Sequence, residues 1–272
     1  MVRYRIGIDL GTTNCALASI PASDHDAHST VLDIPQQETA HSSAAHTTLP
    51  SFLYLPAEAT NKSWIAGQWA RSRSGEVPGR VISSAKSWLV HHAADRRARF
   101  LPLGTADIAA EDQLSPVQAL STLLRDLSQA WNAAHPDAPL VHQDLAITVP
   151  ASFDPAAQQL TLEAARGAGF PESTILLEEP QAAFYAWLEQ ADLPATGAKT
   201  HILVLDIGGG TTDLSLFSAE QKPDSPLPRL HRIAVSDHLL LGGDKQEQHR
   251  AARRLGGLRL RRRRRTRRGC RG

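Results

Sequence analysis

Two acidic residues at the ends of short apolar runs carry the chemistry of this 272-residue chain. Asp9 lies in Arg5-Ile-Gly-Ile-Asp-Leu-Gly-Thr-Thr-Asn-Cys-Ala-Leu-Ala-Ser19. Asp206 lies in Ile202-Leu-Val-Leu-Asp-Ile-Gly-Gly-Gly-Thr-Thr-Asp-Leu-Ser-Leu-Phe217. Each segment reads as an apolar strand, an Asp, a Gly/Thr turn and an alternating strand. Gly11 permits a tight turn, and successive N–H groups in such a turn can converge on an anion. Thr12 and Thr13 add hydroxyl donors for phosphate oxygens. Asp9, itself an anion, cannot bind phosphate directly; its role is to hold Mg²⁺ through the waters that ion keeps. The second segment repeats this logic with Asp206, Gly208, Gly209, Gly210 and Thr211. Three consecutive glycines cost roughly 0.5–1 kcal/mol each against Ala in regular structure, so bare backbone is needed there. Two such hairpins facing each other make a clamp for a polyphosphate and its metal ion, which points to ATP.

Taken singly, each turn has a plainer reading. Asp-Leu-Gly-Thr is a common β-turn, and Gly-Gly-Gly-Thr is more often a loop than a site. Two copies in the same order favour a paired site. No Gly-Lys-Ser/Thr follows either turn, which excludes a Walker loop. A strand follows where a Rossmann fingerprint needs a helix.

The pair resembles the phosphate loops of the actin-like ATPase superfamily, and further segments resemble the seventy-kilodalton heat-shock (DnaK-type) chaperones within it. Those segments are Ala146-Ile-Thr-Val-Pro-Ala-Ser-Phe153, Ala164-Ala-Arg-Gly-Ala-Gly-Phe170, Leu176-Leu-Glu-Glu-Pro-Gln-Ala-Ala-Phe184, Leu49-Pro-Ser-Phe-Leu-Tyr-Leu55, Val81-Ile-Ser-Ser-Ala-Lys86 and Leu241-Gly-Gly-Asp244. The resemblance runs over about residues 2–244, in family order. It implies an α/β, actin-like ATPase (ribonuclease H-like) fold, with the first lobe complete and the second only begun. The first lobe would be residues 1–198, with an inserted subdomain at about 38–112, and the second lobe would start over 199–244.

The resemblance also implies roles. Gly11, Thr12, Thr13 and Asn14 would line the first phosphate loop, and Gly208, Gly209, Gly210 and Thr211 the second. Asp9, Glu179 and Asp206 would surround hydrated Mg²⁺, with Asp213 near water or a monovalent cation such as K⁺. Lys86 would reach the γ-phosphate and Pro150 would sit at an interdomain switch. The chemistry would be ATP hydrolysis by positioning and charge stabilisation. Partners would be unfolded polypeptides, J-domain co-chaperones and nucleotide exchange factors. Lys86 alone reads as a solvated surface lysine, and Glu178 and Glu179 as favourable charges at a helix start. Ser87-Trp-Leu-Val departs from the basic-then-glycine pattern of the family, and Gln158 stands where Arg is usual. A filament-forming ATPase of the bacterial shape-determining type shares Asp-Ile-Gly-Gly-Gly-Thr-Thr-Asp and stands as the alternative.

The elements that must position these residues follow from pattern. Residues 4–20 read as a hairpin and the polar stretch 21–48 as irregular; its histidines lack metal-ligand spacing. Ser115-Pro116 opens a helix as cap and first residue, with Leu120, Leu123, Leu124, Leu127 and Trp131 as its buried stripe. A strand is predicted over 144–149. A helix follows from Asp154-Pro155 to about 168, with Gly169 as its stop, and a third helix spans about 180–191. A final strand covers 230–241.

Composition bounds the rest. No apolar run approaches the ~20 residues that span a membrane, no signal-peptide pattern opens the chain, and two cysteines make no disulfide framework. A cytoplasmic setting is expected. From Lys245 onward twelve Arg and one Lys stand against one Glu, a formal +12 in a chain of total +1, so residues 1–244 carry −11. Such a block is a disordered pattern and a nonspecific nucleic-acid binder. The abrupt end of the resemblance after Asp244 favours a shifted reading frame instead. On either reading the second lobe is incomplete. That predicts weak ATP affinity, little turnover, and a monomer prone to association through exposed apolar surface.

Overall fold

The computed structural model describes residues 2–24, 27–57, 63–91, 94–188, 200–209, 212–220 and 228–236. In chain order the elements begin with β1 (Tyr4–Leu10), β2 (Asn14–Pro21), β3 (Thr30–Val31), β4 (Ile34–Gln37), β5 (Ser43–His46), β6 (Leu49–Pro50), β7 (Phe52–Tyr54) and β8 (Ile65–Ala66). Then come α1 (Gln68–Arg73), β9 (Val81–Ser83), α2 (Pro116–Ala134), β10 (Asp144–Val149), α3 (Pro155–Gly167), β11 (Ile175–Glu178) and α4 (Glu179–Leu188). The last are β12 (Thr200–Ile207), β13 (Thr212–Glu220) and β14 (Arg229–Val235).

The main sheet has the order β11-β10-β1-β2-β3, with β6 also paired to β2. β1 runs parallel to β10 and antiparallel to β2. Strict alternation along β1 sends Ile6, Ile8 and Leu10 into the core and leaves Arg5, Gly7 and Asp9 on the other face. β10 alternates in step: Leu145, Ile147 and Val149 are buried. One face of the sheet therefore meets the apolar stripes of α2 and α3, and the other is left for chemistry. α2 starts with a complete capping box, Ser115 accepting from the Gln118 backbone and Gln118 returning the bond. Asp154 caps α3 through the Ala157 N–H, and Gly169 at φ 87° carries the chain out of it.

Two smaller sheets, β4–β5 and β8-β7-β9, come from the stretch between residues 34 and 83, and β12-β13-β14 forms a separate antiparallel sheet. The expectation of irregular structure over 21–48 is corrected: β3, β4 and β5 lie there. What composition hides is a buried anchor, Gln36. Its amide donates to Thr48 O (2.9 Å) and its carbonyl accepts from Gln68 N (3.0 Å), fixing the strand among polar neighbours. The third helix begins one residue earlier than predicted; its expected end, like the segments 237–244 and 245–272, lies outside the described residues.

Candidate functional site

The first turn is built around one glycine. Leu10 pairs with Cys15, so residues 11–14 close the hairpin. A Cβ on Gly11 would lie 2.2 Å from the Asn14 carbonyl oxygen, which no side chain tolerates. The second hairpin has the same loop length, since Ile207 pairs with Thr212 around residues 208–211.

The alternation of β1 aims Asp9 away from the core. Thr148, on the same face at the end of β10, donates to Asp9 Oδ1 at 2.9 Å. Sequence reasoning gave Thr148 no role; the step-matched alternation of β1 and β10 was the signal available. At the β11–α4 junction the helix opens on Glu179, where its N-terminal dipole favours a carboxylate. Ser84, at φ 54°, turns the chain from β9 into a 3-10 turn over Ala85–Val90. That turn delivers Lys86 inward. Its side chain is only 4% exposed, its Nζ lies 2.5 Å from Glu179 Oε1, and it sits 5.7 Å from the centre of the Phe153 ring. The surface-lysine reading of Lys86 is thereby corrected.

On β12, Asp206 stands directly opposite Asp213 of β13, and Asp213 is buried. Like charges paired across strands repel. Burial first, then Asp213 and Asp9, hold the Asp206 carboxyl above the ordinary range, against Lys86 and a hydrogen bond with Glu179. Burial likewise raises Glu179, which Lys86 opposes and Asp206 and Asp9 reinforce.

A cavity of about 1290 Å³ lies between the free face of the main sheet and the β12–β13 hairpin. Asp9, Gly11, Thr12, Thr13, Asn14, Lys86, Pro150, Glu179, Asp206, Gly208 and Gly209 all line it, as does Thr148. Asp213, opposite Asp206, does not line it, and Gly210 and Thr211 fall outside the described residues. Gln158 turns away, donating to Phe153 O. Among the described residues no three His, Cys, Asp or Glu side chains converge closely enough to ligate a metal directly. Three mutually repelling carboxylates around a roomy cleft nonetheless suit a cation that keeps its own water shell. Hydroxyls and turn amides beside them suit an anion.

Comparison with known proteins decides among folds that share such a cleft. The family model for Hsp70 protein matches residues 5–222. The chain belongs to the Hsp70 family. Its fold is accordingly the actin-like ATPase fold, here a partial α/β domain from the N-terminal part of an Hsp70 protein. It is 32% identical over 255 residues to the chaperone protein HscA of Serratia proteamaculans. It is 34% identical over 252 residues to that of Edwardsiella ictaluri, and 33% identical over 249 residues to that of Klebsiella pneumoniae subsp. pneumoniae. Each match covers 89% of this chain and 35% of the relative, so the chain spans about a third of the length of these Hsp70 proteins. These matches favour the chaperone over the filament-forming alternative. Among the described residues, no helix is long and apolar enough to cross a membrane.

Proposed function

We propose that this Hsp70-family chain is the ATPase domain of a chaperone that assists protein folding, and that it binds Mg-ATP between its two hairpins with weak affinity and little turnover. The observation that carries the reading is that Asp9 and Asp206, far apart in the sequence, face one cavity with the Lys86–Glu179 pair beside them. In this reading the turn amides and hydroxyls of residues 11–14 and 208–211 hold the phosphates. Asp9, Glu179 and Asp206 hold the water shell of Mg²⁺, which when bound supplies charge neutralisation to the phosphates. Asp213, opposite Asp206, adds negative charge behind that cation site, with K⁺ as a further candidate nearby. Lys86 is released from Glu179 toward the terminal phosphate and helps align the attacking water. No residue forms a covalent intermediate; the groups bind, orient and stabilise charge.

Because Glu179 and Asp206 are both raised, protons compete with the cation as pH falls, and binding weakens toward acid. The wider proposal is work on unfolded polypeptides in a cytoplasmic setting, with J-domain co-chaperones and nucleotide exchange factors. Calorimetric titration tests the site. Mg-ATP and magnesium tripolyphosphate are expected to compete for one site and to lose it in EDTA. Failure of both to bind at millimolar concentration, with magnesium present, would sink the reading.

A further inference from the structure

Bonded to the first turn, and outside the lining of the cavity, lies a residue that the reading above leaves without a task. Ser51 is 4% exposed and joins β6, which pairs with β2 of the main sheet, to β7, which belongs to the β8-β7-β9 sheet. Its Oγ donates to Gly11 O at 2.7 Å, and its backbone N–H donates to Thr13 O at 2.8 Å. One residue therefore grips two carbonyls of a four-residue turn.

The consequence follows from peptide geometry. In a trans peptide plane the N–H points opposite to the C=O. The Gly11 carbonyl shares its plane with the Thr12 N–H, and the Thr13 carbonyl with the Asn14 N–H. Drawing both carbonyls toward Ser51 turns the Thr12 and Asn14 amides the other way. The turn residues line the cavity and Ser51 does not, so Ser51 acts from outside the lining on amides of residues within it. The hydroxyl is itself held in place. Cys15 Sγ lies 3.3 Å from Ser51 Oγ. Burial pushes the Cys15 thiol up to about 11, so it stays protonated. Its S–H donates to the oxygen, while the single hydroxyl hydrogen goes to Gly11.

We propose that Ser51 is a positioning residue for the phosphate-binding turn, and that through it the β8-β7-β9 sheet sets the direction of the turn's amides. The role rests on the Mg-ATP reading of the cavity; the hydrogen-bond geometry does not. Ser51→Ala removes the grip on Gly11 and keeps the backbone bond to Thr13. Thr161→Val serves as the control. Thr161 is buried on α3, its hydroxyl donates to Ala157 O, and it does not line the cavity.

The experiment measures three quantities on the full chain: melting temperature, Mg-ATP affinity, and the amide NMR resonances of residues 11–14. Both variants are expected to melt lower by similar amounts. Only Ser51→Ala should shift and broaden the Thr12 amide resonance and weaken Mg-ATP about tenfold, as loss of one aligned hydrogen bond predicts. Unchanged affinity and an unmoved Thr12 resonance in Ser51→Ala overturn the proposal. If the unmutated chain binds no Mg-ATP, the functional reading falls. The Thr12 resonance then decides alone whether Ser51 orients the turn.

Discussion

The two hairpins of this Hsp70-family chain share a local plan and part company in packing. Aligned on Asp9 and Asp206, the residues Ile6, Ile8 and Leu10 correspond to Leu203, Leu205 and Ile207. The first three are 2%, 0% and 0% exposed; the second three are 62%, 65% and 53% exposed in the order Leu203, Ile207, Leu205. The same alternating strand is roofed by α2 and α3 in one case and open in the other. The paired positions differ as well. Asp9 stands opposite Ala16 and accepts from Thr148, whereas Asp206 faces Asp213. Equal local patterns thus fix equal turns and strands. The burial and electrostatics of each come from what packs around it.

The largest effect expected in this comparison is electrostatic. Lys86→Ala leaves Glu179 without its buried partner and is expected to cost about 3–5 kcal/mol in urea denaturation. The Arg232–Glu178 pair tethers β14 of the other sheet and is more exposed. Arg232→Ala should cost at most about 1 kcal/mol. Similar losses would erase the distinction between the two regions.

Next comes the core itself. Ile8→Ala is expected to destabilise by about 2–5 kcal/mol, and its counterpart Leu205→Ala by no more than about 0.5 kcal/mol. A Leu205→Ala loss as large as that of Ile8→Ala would mean that the outer face of β12 is covered.

A smaller effect concerns Asp126 on α2, the helix that roofs the first hairpin. Burial raises its carboxyl from 3.8 to about 6, with Arg125 opposing. A raised carboxyl contributes stability that is fully present below its unfolded value and lost as pH rises through the folded one. Stability should therefore fall between about pH 4 and pH 6 on this account. Asp126→Asn should flatten that window and gain about 1–2 kcal/mol at neutral pH; an unchanged pH profile would count against a strained acid in the roof.

The smallest change is to association rather than folding. Leu205→Lys breaks the open apolar face and should reduce self-association by sedimentation velocity while leaving the melting temperature in place. Undiminished association would locate the sticky surface elsewhere.

Much of the scaffold was readable beforehand. The Ser115-Pro116 and Asp154-Pro155 starts, the α2 stripe and the 144–149 strand all depend on neighbours within a few residues, and they stand where the pattern put them. The β4–β5 hairpin was missed because its anchor, Gln36, is polar and bonds to Thr48 and to Gln68, the latter far along the chain. Lys86 gave no local sign of burial, since what buries it is Glu179, 93 residues away. Ser51 carried no local sign of a site role for the same reason, and Thr148 carried only the alternation it shares with β1. Their hydrogen-bond partners are distant in sequence and adjacent only across the sheet.

From the amino acids alone came the two Asp-tipped turns, the alternation that gives each strand an inner and an outer face, and the glycine that closes the first loop. These follow from backbone sterics and side-chain period, which act over a handful of residues. The tertiary structure decided which face of each strand is covered, that Lys86 meets Glu179, and that Asp9 and Asp206 share a cavity. Those outcomes depend on contacts between residues as far apart as Asp9 and Asp206, and only packing brings them within range of a charge or a hydrogen bond.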